Sequence, residues 1–202
     1  MTDIDPRRSA ILTLDLQNDF IHPDGAYGRA GYSSEALASV PGRVKPVIDA
    51  LRRKGGTFIS AQFTLVPGPE GEPLIAPRLR RMRPFLGKGD FTPGEFGHSL
   101  VDELKPADYT IECVAYSAFY QTRLEYLLDT LEITHLVVAG IVTNGGVAST
   151  LRDAQLRDIE TAVLTDGCAA VLQAVHDATL TSLSGVTHQM TCAEAIETIK
   201  RL

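Results

Sequence analysis

Short apolar runs that stop on polar residues alternate with stretches of helical spacing along most of the chain. The clearest case lies at residues 135–154. His135-Leu136-Val137-Val138-Ala139 reads as a buried strand and breaks at Gly140. Thr143 or Asn144 can cap the following helix, on which Val147, Leu151 and Ala154 recur. Residues 10–14 form a first apolar run ending at Asp15. Val44, Val47, Ile48 and Leu51 mark a helix over 40–54, stopped by Gly55-Gly56. Residues 57–61 form a second strand ending at Gln62, and residues 109–113 a third ending on Cys113. Leu124, Leu127, Leu128 and Leu131 mark a helix over 121–131. After the 135–154 unit come a strand at 160–164, ending at Thr165-Asp166-Gly167, and a helix over 174–183. A short strand at 186–190 and a helix over 193–202 complete the chain. Six strands separated by helices predict an α/β fold, a three-layer α/β/α arrangement around a doubly wound, six-stranded parallel sheet.

Two stretches break the alternation. Residues 26–39 are rich in Gly, Ser and Ala and read as an irregular loop over the sheet edge. Residues 64–98 carry Pro67, Pro69, Pro73, Pro77, Pro84 and Pro93, and a loop of that length is usually the lid or wall of a site. It also holds Arg78, Arg80, Arg81 and Arg83. The preferred reading of that cluster is a solvated surface; the alternative is that one guanidinium holds a substrate carboxylate.

Composition narrows the function classes. The chain has 202 residues, 44% hydrophobic and 22% charged, which fits one soluble globular domain over 1–202. The net charge of -6 and the lack of a long basic run argue against nucleic acid or an anionic membrane as partner. No run is long and apolar enough for a membrane span, and MTDIDPRRSA lacks the apolar centre of a signal peptide. Three cysteines, Cys113, Cys168 and Cys192, cannot all pair and show no CxxC spacing, so a reducing cytoplasm is expected.

Polar residues cluster where strands stop. Asp15, Gln62, Cys113 and the turn Thr143-Asn144-Gly145-Gly146 would all meet at the carboxyl edge of such a sheet, where ligands bind. An acid there is partly desolvated, which raises its pKa toward the range useful for proton transfer; the plainer alternative is that Asp15 caps the next turn. Gly145 and Gly146 let backbone meet a ligand, and N–H groups at a helix start favour an anion. The plainer alternative here is an ordinary strand–helix junction. Neither G-x-G-x-x-G nor G-x-x-x-x-G-K-[ST] is present, so dinucleotide and P-loop readings are rejected. His135, His176 and His188 read as structural, without a partner suggested by any motif.

The segments LDLQNDFI, AYSAFYQTRLE, GIVTNGGVASTLRDA and LTDGCAA resemble the isochorismatase-like hydrolase superfamily, in register over nearly the whole chain. That group includes nicotinamidases, carbamoylsarcosine and ureidoacrylate amidohydrolases, and isochorismatases. The resemblance places Asp15 at the family's acid position. It places Cys113 at the usual Lys and Gly146 at the usual nucleophilic Cys. Isochorismatases also lack the Cys and hydrolyse a vinyl ether using an acid and water. Gln62 resembles the substrate-contacting Gln of that branch and stands in place of the nicotinamidase D-x-H metal motif. The resemblance therefore implies no metal and no cofactor, and a cis peptide between Ile141 and Val142.

The expectations are these. The catalytic positions are Asp15, Cys113 and Gly146. The substrate-binding positions are Gln62, Phe20, Tyr116, Phe119, Thr143, Asn144 and Gly145, with plain core packing an equal alternative for Phe119. Vinyl-ether hydrolysis of a small anionic substrate, with Asp15 as general acid/base, is preferred. One alternative is an amide or carbamoyl hydrolase with Cys113 as nucleophile, or a variant impaired by loss of the Lys. A thiol beside a carboxylate is a poor nucleophile, because the negative neighbour raises its pKa. A catalytically silent small-molecule binder is the remaining alternative. The family resemblance also implies a homodimer or homotetramer.

Overall fold

The structure, a computed structural model, describes residues 5–32 and 34–202. Six strands form one parallel sheet: β1 (Ser9–Leu14), β2 (Thr57–Phe63), β3 (Tyr109–Cys113), β4 (His135–Ile141), β5 (Glu160–Ala169) and β6 (His188–Met190). Their order across the sheet is β3-β2-β1-β4-β5-β6. The chain winds outward from β1 in one direction and then returns to build from β4 in the other. The crevice between the ends of β1 and β4 is therefore the topological switch point, where side chains from two distant segments meet.

Helices α1 (Asn18–Ile21), α2 (Ala26–Arg29), α3 (Glu35–Ala38) and α4 (Val40–Arg53) follow β1. Next come α5 (Pro77–Met82), α6 (Leu124–Thr130), α7 (Ala148–Gln155), α8 (Gln173–Ser182) and α9 (Cys192–Arg201). Strand alternation divides the apolar side chains between two cores. Ile11 and Phe58 pack with Val44, Val47 and Leu51 of α4 and with Ala195 and Ile199 of α9. Leu12, Leu14 and Ile59 pack on the other face with Leu124 and Leu128 of α6 and Leu151 and Ala154 of α7. The result is the three-layer α/β/α sandwich that the periodicity predicts.

The structure corrects several local expectations. Residues 26–39 are not an open loop, because they contain α2 and α3. The Ala26 N–H at the start of α2 donates to buried Asp19 Oδ1 at 2.8 Å, a cap from outside the N-cap position that helical spacing does not reveal. β5 does not stop at Leu164. Its register against β4 shifts between Val138 and Gly140, and pairing resumes with Gly140 opposite Cys168. The bulged residues are used elsewhere. Asp166 Oδ1 accepts from the Cys192 N–H at the start of α9 at 2.7 Å, and Thr165 Oγ1 donates to the Met190 carbonyl at 3.3 Å.

The long excursion after β2 has a small core of its own, built from Leu65, Leu86, Phe91 and Ala26, with Phe20, Tyr27, Phe63 and Leu79 against it. Phe20 and Phe91 ring centroids lie 4.6 Å apart, and Phe63 and Phe91 5.1 Å. Polar clasps fix the same segment to the end of β1. Gln17 Nε2 donates to the Phe63 and His98 carbonyls, Asn18 Nδ2 to the Phe96 carbonyl, and the Phe91 N–H donates to Asp19 Oδ2 at 2.6 Å. The excursion is thus a built wall.

Candidate active site

Asp15 is the first residue beyond β1, and its backbone is left-handed, with φ at 59°. Non-glycine residues rarely adopt this conformation, Asp more readily than most. Two hydrogen bonds hold it there. Its N–H donates to the Ala61 carbonyl at 2.9 Å, and its own carbonyl accepts from the Gln17 N–H at 2.8 Å. The turn lifts the side chain off the sheet and into a cavity of about 770 Å³. Desolvation pushes the Asp15 carboxyl up from an ordinary 3.8 to about 7, opposed by the Phe63 backbone amide and the Arg83 guanidinium.

The second wall comes from the turn after β4. Gly140 faces Leu14 in the sheet register and has φ of 124°, and a Cβ there would collide with the Leu14 backbone. Glycine at this point lets β1 and β4 close on each other directly beneath the site. The Ile141–Val142 peptide is cis, as the resemblance implied. Thr143–Val147 forms a distorted turn that leads into α7. Thr143 is fully buried, and its Oγ1 is hydrogen-bonded to His176 Nδ1 of α8 at 2.8 Å. His176 is therefore not an isolated structural histidine, because it holds this turn in place.

Gly146 and Asp15 share the hollow. A Cβ on Gly146 would lie 3.3 Å from Asp15 Oδ2, 3.3 Å from the Tyr116 carbonyl oxygen and 3.6 Å from the Ile141 carbonyl oxygen. Three acceptors thus surround the open face of Gly146. That arrangement suits a hydrogen-bond donor such as water, with a carboxylate able to take its proton.

The expected site residues divide into two groups. Asp15, Phe20, Tyr116, Asn144 and Gly146 line the cavity. Gln62, Cys113, Phe119, Thr143 and Gly145 do not. Gln62 shares the β2 face of Phe58 and Ser60, so the pleat turns it away while Phe63 meets the cavity. Phe119 is core, 4% exposed, with the Arg157 guanidinium 4.7 Å above its ring. Gly145 is held by its N–H, which donates to the Val142 carbonyl at 2.9 Å. Cys113 ends β3 on the sheet edge, is 3% exposed, and points its Sγ toward the Ile111 carbonyl at 3.8 Å. Burial first, and then the Asp15 charge, push its thiol up to about 12, which leaves almost no thiolate near neutral pH.

Two further features line the cavity, and the first is only the less favoured reading of the arginine cluster. The first is cationic. Arg83 and Arg78 line the cavity, so the arginine cluster is not wholly a solvated surface. The Arg83 guanidinium lies 5.7 Å from the centroid of the Tyr27 ring. Among the described residues Arg83 forms no ion pair. The buried Tyr27 hydroxyl beside it finds no hydrogen bond of normal geometry. Burial pushes the Tyr27 hydroxyl up to about 12, so it remains a donor. A guanidinium at the cavity wall without a carboxylate partner among the described residues can take a carboxylate, with the buried Tyr27 ring and hydroxyl behind it. The second feature is the apolar wall from α3, α5 and the start of α8, described below. Among the described residues no group of three or more His, Cys, Asp or Glu is arranged to hold a metal ion, and no helix is long and apolar enough to cross a membrane.

Known proteins resemble this chain in sequence and in fold. The ureidoacrylate amidohydrolase RutB of Caulobacter vibrioides (strain ATCC 19089 / CIP 103742 / CB 15) is 33% identical over 175 residues, covering 81% of this chain and 77% of that protein. The protein of the same name from Serratia proteamaculans (strain 568) is 34% identical over 172 residues, covering 80% and 69%. Among solved structures, a cysteine hydrolase from Pseudomonas syringae pv. phaseolicola 1448A superposes with a TM-score of 0.84 at 23% identity, covering 100% of this chain and 99% of that one. The N-carbamoylsarcosine amidase of Thermoplasma acidophilum superposes with a TM-score of 0.72 at 25% identity, covering 91% and 96%. The isochorismatase domain model matches residues 9–195. With that span and those relatives, the chain belongs to the isochorismatase family of hydrolases.

Proposed function

We propose that this hydrolase cleaves a carbon–nitrogen bond of the amide or ureido class in a small anionic substrate, with water rather than a side-chain thiol as nucleophile. The observation that carries the reading is the pairing of Asp15 with Gly146. Oδ2 stands 3.3 Å from the position of a Gly146 Cβ, and the carboxyl is poised at about 7. Near neutral pH both protonation states are well populated, so one group can serve as base and then as acid.

The steps balance. A water beside Gly146, held by the Tyr116 or Ile141 carbonyl and by ionised Asp15, attacks the substrate carbonyl carbon as Asp15 takes its proton. The C–N bond then breaks, and Asp15 passes that proton to the departing nitrogen. The names of the 33–34% identical relatives favour amide chemistry over the vinyl-ether hydrolysis expected from the missing thiol. The vinyl ether is kept as a second reading, because a protonated Asp15 beside water also serves that reaction. Cys113 has no part in either scheme. Arg83, backed by the Tyr27 ring, takes the substrate carboxylate, and Asn144 and Tyr116 border the reacting group. A cytoplasmic setting and a homodimer or homotetramer belong to the same reading.

The test is a panel of N-carbamoyl amino acids, ureido acids and vinyl ethers assayed with purified protein. Turnover should survive iodoacetamide and fall by about 10²–10⁴ in Asp15→Asn. Loss of turnover on alkylation, or its persistence in Asp15→Asn, overturns the scheme.

A further inference from the structure

The cavity is far larger than the chemistry at Asp15 needs. Its volume is about 770 Å³. A ureido acid of about nine non-hydrogen atoms fills roughly 200–250 Å³, taking each atom at somewhat less than the 30 Å³ of a water. Much of the space, part of it at the open mouth, is therefore left over. Its lining is mostly apolar, and three separate elements supply it. Leu37 comes from α3, Leu79 and Met82 from α5, and Leu172 and Val175 from the start of α8. Leu37 is only 6% exposed, so it is a firm wall, whereas Met82 and Leu172 stand 55% and 63% exposed at the mouth. A site built for a short polar acid alone gains nothing from such a surface, since small polar ligands leave it wet. A site for an amphipathic molecule gains from every methylene placed on it.

We propose that the substrate carries an apolar arm, alkyl or aryl, beyond its carboxylate and scissile group, and that the α3–α5–α8 wall receives it. This rests on the reading that the cavity around Asp15 is the substrate site. It goes further by assigning the substrate class: an N-substituted amide or ureido acid with a medium-length hydrophobic substituent. The polar anchor and the apolar wall then divide the work. Arg83 fixes the anionic end, and Leu37, Leu79 and Val175 select for length.

Binding tests this without relying on turnover. The probes are the straight-chain carboxylates from acetate to octanoate, titrated calorimetrically into the Asp15→Asn protein. Affinity should rise by about threefold per methylene, approaching the roughly fourfold of full burial. Val175 sits in the first turn of α8, near the helix N-terminus, where an acid is tolerated, so Val175→Asp should fold. It should flatten the dependence on chain length. Val175→Phe, which shortens the compartment, should instead reverse the gain beyond the middle of the series. Arg83→Gln should weaken every member by a similar factor and leave the slope intact. A flat series, no binding by octanoate, or a slope unchanged in Val175→Asp overturns the proposal. Because Asp15 is absent from the probe protein, failure of the catalytic scheme would show in the turnover assay and leave this slope untouched.

Discussion

Asp15→Asn should make the protein more stable, and more so as the pH rises. The carboxyl is raised by burial from 3.8 to about 7, so the native state holds a proton that the unfolded chain has already lost. Stability from such a group is highest below the unfolded value and declines as pH climbs toward the folded one. The penalty, worked from those two values, is about 0.5 kcal/mol at pH 4, about 3 kcal/mol at pH 6 and about 4 kcal/mol at pH 8. These are upper bounds, since a compact unfolded chain and local water access reduce the difference. Asn keeps the shape of Asp and can still accept from the Phe63 amide, but it carries no charge to desolvate.

The assay is urea unfolding of both proteins at pH 4, 6 and 8. The gain of Asp15→Asn over wild type should grow by about 2–4 kcal/mol between the first and last pH. Other perturbed groups cancel in the comparison. Asp19 is raised by burial and His98 lowered by burial, but both are present in each protein. A gain that does not change with pH would mean that the carboxyl is not desolvated. The two roles assigned to it, base and then acid, would fall with that result.

Two other substitutions probe the neighbours of Asp15. Arg83→Gln removes the cation that opposes protonation of Asp15, so the acidic limb of the kcat/KM profile should move upward in pH; it should also raise KM for anionic substrates by about tenfold or more. An unmoved limb would place Arg83 too far from the carboxyl to act on it. Gly146→Ala puts a methyl 3.3 Å from both Asp15 Oδ2 and the Tyr116 carbonyl oxygen, so kcat should drop by at least about tenfold while unfolding free energy changes by only about 1–3 kcal/mol. Unimpaired turnover in Gly146→Ala would show that the attacking water does not lie there.

The sheet and half of the site were legible because both are encoded locally. A buried parallel strand is an apolar run, and its carboxyl end is where that run stops. Asp15 and the glycine turn after β4 could therefore be assigned to one crevice before any coordinates. The differences arise where something other than hydrophobic periodicity decides the outcome. Residues 26–29 become helical when Asp19 accepts the Ala26 N–H. β5 runs past Asp166 because Asp166 is occupied in capping α9. Gln62 lies one position before the end of β2, and parity on the pleat decides which side chain meets the cavity; Phe63 holds that position.

Arg83 shows the same limit in the opposite direction. In the sequence it is one of four arginines in a proline-rich stretch, and nothing local separates it from Arg81. What separates them is the aromatic core of the excursion, which sets α5 over Tyr27 and brings Arg83 to the cavity wall. That placement bears on the missing Lys. With Cys113 buried at the edge of the sheet, the cation acting on Asp15 comes from the wall. A cation carried by a wall segment can bind substrate and tune the acid at once. When a substrate carboxylate neutralises Arg83, its opposition to Asp15 protonation weakens and the pKa of Asp15 rises. Under the proposed function, occupancy of the anion subsite is thereby coupled to the protonation state of Asp15.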